Sequence, residues 1–137
     1  MKYLSEYMED AQTRAFNKYG AFWAFGTKQF EERRQPEVNY CNMGAGLICP
    51  VETAQNLADE LRLIHRAAIV QDVEENGARG IISREYFNYE TQVTCDRTNL
   101  MESMEKYMEI FPEQFTQELI DEVCKECFKQ AIDNDWF

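Results

Sequence analysis

Cys124-Lys125-Glu126-Cys127 has the spacing of half a zinc site. Tetrahedral zinc needs four thiolate or imidazole ligands. The chain offers no second such pair, and its single histidine, His65, lies far off in sequence. On a helix, both cysteines fall within or beside the apolar stripe of Ile120, Val123 and Ala131. They read as two buried thiols, and the sequence predicts no metal and no cofactor. His65 has no local serine or cysteine partnered by an acid, as nucleophilic catalysis would need. Met43-Gly44-Ala45-Gly46 has glycines suggestive of a phosphate loop but matches no dinucleotide fingerprint or P-loop. A strand, not a helix, is expected after Gly46, so this segment reads as a hairpin turn. With one histidine, no paired-carboxylate motif and no cofactor fingerprint, the sequence argues against an enzyme.

Charge is the more informative chemistry. Two basic groups stand out: Lys28, Arg33 and Arg34, and then Arg62, Arg66, Arg79 and Arg84. With aromatics such as Phe22, Trp23 and Tyr86, such arginines can clamp a phosphate and stack a base. The plainer reading is internal pairing with Glu31, Asp59 or Glu85. Glu102, Glu105 and Glu109 share one helical face at i, i+3 and i+7, where like charges weaken an isolated helix slightly. Lys106 relieves them only in part. Glu113, Glu118 and Glu122 continue the acidic run, while Asp121 and Lys125 form an expected i,i+4 pair. A carboxylate row repeating every 5–6 Å or so imitates the phosphates of a nucleic-acid strand.

These groups sit in a chain of 137 residues with formal charge −11, 45% of it hydrophobic and 13% aromatic. That is one domain's worth, apolar enough for a core. A charge so negative disfavours binding to bare DNA, RNA or an anionic membrane. No 18-residue apolar run exists to span a bilayer. MKYLSEYMED carries no secretory h-region, and five cysteines (an odd number) suit a reducing compartment, so the expected location is the cytoplasm of a bacterial host cell. The excess of acid is uneven, since residues 90–137 hold 12 acids and 4 bases.

The elements that must position these residues follow from periodicity. Helical spacing predicts a helix over 3–18, and AFWAF at 21–25 reads as a buried strand. KQFEERRQ is a short helix ending before Pro36. Val38–Cys41 and Leu47–Cys49 flank the glycine turn as a hairpin. The longest helix is predicted over 51–75, closed by Asn76-Gly77. Residues 81–90 are ambiguous, with helix favoured, and Val93–Cys95 is read as briefly extended. Helices over 98–109 and over 112–132, the latter opened by Pro112, complete the chain. The predicted fold is α+β: a small antiparallel sheet of about three strands packed against several α-helices, with a helical C-terminal third. It reads as a single domain over 1–137, made of an α+β body over 1–95 and an acidic helical extension over 96–137.

MKYLSEYMED at 1–10, GAFWAFGTKQFEE at 20–32, NMGAGLICP at 42–50, DVEENG at 72–77 and IISREYFNYE at 81–90 together resemble a family of small, uncharacterised proteins of bacteriophages and other mobile elements of gut bacteria. The resemblance covers about residues 1–95 and carries no catalytic residues. It implies a counter-defence setting. Two functions are then expected. In the first, Glu102, Glu105, Glu109, Glu113, Glu118 and Glu122 occupy the basic nucleic-acid groove of a host defence enzyme, such as a CRISPR effector nuclease, and inhibit it. In the second, the protein is a sponge for a cyclic or ADP-ribose-type nucleotide signal. It would be held by Arg62, Arg66, Arg79, Arg84, Phe22 and Tyr86, in a pocket expected between subunits of a homo-oligomer.

Overall fold

The computed structural model describes residues 1–137. The chain runs α1 (Leu4–Tyr19), β1 (Phe22–Trp23), α2 (Thr27–Arg33), β2 (Tyr40–Asn42), β3 (Leu47–Pro50), α3 (Val51–Asn88), α4 (Thr91–Thr94), α5 (Thr98–Ile110) and α6 (Gln117–Asn134). It is an α+β fold with one three-stranded antiparallel sheet in the order β1-β3-β2. No helix is long and apolar enough to cross a membrane. By contacts the chain divides into two compact units, Ser5–Ala68 and Met1–Leu4 with Ile69–Phe137.

The first unit holds the sheet. β3 is central, pairing Phe22 with Ile48 on one side and Cys41 with Cys49 on the other. Successive side chains of a strand face opposite ways. Leu47 and Cys49 therefore join Ala15 and Leu57 in one cluster, whereas Ile48 joins Phe22 and Ala24 in another, under Phe30 and Tyr40. Burial on both faces explains why Leu-Ile-Cys shows no polar alternation. AFWAF contributes less strand than expected, only Phe22–Trp23. Ala24 still donates its N–H to Gly46, but the Phe25 N–H turns to the Gln29 side chain, which diverts the chain into α2. In the β2–β3 turn, residue 46 has φ of 87°, and a Cβ there would lie 2.6 Å from the Phe25 ring, so only glycine fits.

The second unit is helical. Gly77 (φ 68°, ψ 165°) interrupts α3 where Asn76-Gly77 was expected to end it, and the helix resumes at once through residues 81–88. Val93 and Cys95 are not extended: Thr91–Thr94 make a single helical turn, flanked by Glu90 and Cys95, both left-handed. The last helix begins at Gln117 rather than Pro112, because the Thr116 side chain caps it by accepting from the Leu119 N–H at 3.2 Å. Residues 112–115 instead form a turn closed by Phe115 N–H to the Phe111 carbonyl, which sets Phe115 against Tyr107.

Candidate functional site

α5 is two-faced. Leu100, Ser103, Met104 and Tyr107 point inward and are buried, and opposite them Glu102, Glu105 and Glu109 are exposed. Glu113 follows in the turn and Glu118 in the first turn of α6, both exposed. A carboxylate in that first turn is favoured by the helix dipole. None of these five glutamates has an ion-pair partner. The one cation within the row, Lys106, lies with its ammonium 5.0–6.0 Å or so from an aromatic ring, at 5.8 Å from the centre of Tyr107. Glu122 differs from the other five candidates. Arg79 binds it at 3.0 Å and Glu126 at 3.1 Å, and these hydrogen bonds and charges raise the guanidinium's pKa further.

The inner face of α5 enters a buried polar network. Asp72 is fully buried, and both its carboxylate oxygens accept from Arg84, at 2.9 and 3.0 Å. The Tyr107 hydroxyl donates to Asp72 at 2.6 Å, and Asn76 donates at 2.7 Å. Arg84 also donates to Glu85 at 2.9 Å and to the Lys2 carbonyl at 2.8 Å. Burial opposes the charge of Arg84, but its bonds to Asp72 outweigh that, so it stays protonated. Burial, then the Asp72 carboxylate, pushes the Tyr107 hydroxyl well above its ordinary range. The network is a bidentate, fully bonded ion pair of the kind that survives in a core.

The arginines proposed as phosphate clamps are thereby accounted for. Arg34 faces Glu31 at 3.7 Å, Arg62 faces Asp59 at 2.8 Å and Arg84 faces Glu85, the pairings read as the plainer alternative. Arg66 is exposed with no ion-pair partner. Phe22 is buried, with the Arg33 guanidinium 5.4 Å from its ring centre. Tyr86 is buried too, and burial followed by the thiols of Cys124, Cys127 and Cys95 raises its pKa to about 12. Asp121 does not pair with Lys125. It accepts from Arg97 at 2.8 Å and from Gln117 at 3.0 Å, whose donors reach it from a neighbouring segment and from one turn earlier.

Cys124 and Cys127 are buried free thiols whose pKa values burial raises. Cys127 lies 3.4 Å from the Ser83 hydroxyl, and no group of three or more His, Cys, Asp or Glu side chains is placed to hold a metal ion. His65 is exposed on α3. Sequence reasoning missed Asp72. Its signal was there, since Asp72 follows Ala68 and Ile69 at helical spacing on a buried stripe, and a charge in such a stripe demands a partner.

Comparison with curated proteins and with solved structures finds no match. Residues 4–130 match a family of unknown function, DUF7659. That match takes in every helix but the last turn of α6, the whole sheet, the Asp72–Arg84 network and the acidic row, so the chain belongs to the DUF7659 family.

Proposed function

We propose that the protein is a binding protein rather than an enzyme, and that its acidic row docks onto the basic groove of a nucleic-acid-handling enzyme of the bacterial host and inhibits it. The observation that carries this reading is the set of exposed glutamates 102, 105, 109, 113 and 118 on α5 and its flank, none of them ion-paired. Elsewhere in the same unit, carboxylates such as Asp72, Asp121, Glu122 and Glu126 are matched to arginines. A row left unmatched is poised to meet cations on another molecule. The resemblance over residues 1–95 places this in a phage counter-defence setting, with a CRISPR effector nuclease as one target of the right chemistry. Sequestration of a nucleotide signal draws less support, since Arg84 and Tyr86 are buried and Arg62 and Arg79 are already paired.

The test is affinity capture from gut-bacterial lysate with the wild-type chain and with Glu102→Gln/Glu105→Gln/Glu109→Gln. A captured nucleic-acid enzyme that is released by added DNA, inhibited by the wild type and ignored by the variant is the expected outcome. Equal capture and equal inhibition by both proteins would refute the reading.

A further inference from the structure

A hollow of about 190 Å³ opens in the helical unit, between Tyr86 near the end of α3, the α4 turn and the stretch of α6 from Cys124 to Phe128. It is distinct from the acidic row and independent of its function. Its size suits one aromatic ring, since an apolar protein cavity of roughly 150 Å³ holds benzene. Tyr86, Phe128 and the thiols of Cys95 and Cys124 supply walls that are apolar and polarizable.

Two further observations give the occupant a polarity. Thr91 lines the hollow, is only 2% exposed, and its hydroxyl has no hydrogen-bond partner. Buried hydroxyls in native proteins are nearly always bonded, and this one can both donate and accept. Arg97 and Lys125 also line the hollow, and they are two of only four bases among the 12 acids of residues 90–137. Arg97 shares its charge with Asp121, while Lys125 is exposed and has no ion-pair partner. A ligand matching all of this has a ring-sized body, a deep polar group and an anionic group at the mouth.

We propose that this hollow binds a small hydroxyaryl carboxylate, its ring between Tyr86 and Phe128, its hydroxyl bonded to Thr91 and its carboxylate facing Lys125 and Arg97. The probe is 4-hydroxybenzoate, titrated into the full chain and followed by amide chemical shifts. Saturable shifts at Thr91, Cys95, Cys124 and Phe128 are expected, with benzoate bound about tenfold more weakly for want of the hydroxyl. Thr91→Val should bind the two compounds equally, by the logic of a double-mutant cycle. It should also melt no lower than wild type, since it removes an unbonded hydroxyl and keeps the shape. Lys125→Gln should weaken 4-hydroxybenzoate and benzoate but leave phenol unchanged. Absence of shifts at these residues at about 20 mM, where even a millimolar ligand saturates its site, would overturn the proposal. So would a preference for 4-hydroxybenzoate over benzoate that survives Thr91→Val.

Discussion

The two faces of α5 treat charge in opposite ways. On the inner face Tyr107 closes a network in which Asp72 and Arg84 are buried and every strong hydrogen-bonding site is occupied. On the outer face, three glutamates stand within two turns with one lysine among them. The inner charges are there because each has a partner; removing one strands the other in the core. The outer charges contribute nothing to the helix and mildly oppose it. Charge that stabilises the fold and charge available to another molecule are thus separated across the width of a single helix.

The largest effect expected from breaking this contrast is on the inner face. Asp72→Ala leaves Arg84 buried without its main partner and should cost about 3–5 kcal/mol, read by chemical denaturation. Tyr107→Phe removes one bond and leaves Asp72 held by Arg84 and Asn76, so a loss of about 1–2 kcal/mol is expected. A pH series sharpens the point. The folded state holds the protons of Cys124, Cys127, Tyr86 and Tyr107 more tightly than the unfolded chain does. Their contribution is complete below the ordinary thiol value of 9.0 and is lost as pH rises through it and then through 10.0. Each group contributes a slope of about 1.4 kcal/mol per pH unit within its own window, and Tyr107→Phe should flatten the fall above pH 10 or so. The smallest effect on stability belongs to the outer face. Glu102→Gln/Glu105→Gln/Glu109→Gln should leave the melting temperature unchanged or slightly raised while abolishing partner capture, and a clear drop in melting temperature would show those glutamates to be structural.

Much of this architecture was legible in sequence because it rests on local signals. The glycine turn between the β2 and β3 strands, the break at Gly77 and the inward residues of α5 and α6 all follow from turn chemistry and helical period. The departures come from competing local rules. Pro112 is as good a helix opener as Thr116, and only the hydrogen bond from Leu119 shows which one starts α6. AFWAF has the composition of a five-residue strand, but Phe25 is 74% exposed because its N–H is taken by Gln29. The acidic row was visible as spacing, whereas the loss of Glu122 to Arg79 was not, since 43 residues or so of intervening chain separate them and no pattern marks so distant a pair. The hollow beside Thr91 left no trace in the sequence, because an unbonded hydroxyl is a property of packing.

The separation of the two faces predicts a specific dependence on salt. Affinity of the captured partner for the wild-type chain, measured from about 50 to 500 mM salt, should fall steeply with rising ionic strength, as contacts between exposed charges do. The same titration with Glu102→Gln/Glu105→Gln/Glu109→Gln should be weaker at low salt and distinctly shallower. Affinity that is insensitive to salt, or identical curves for the two proteins, would contradict docking through the outer face of α5.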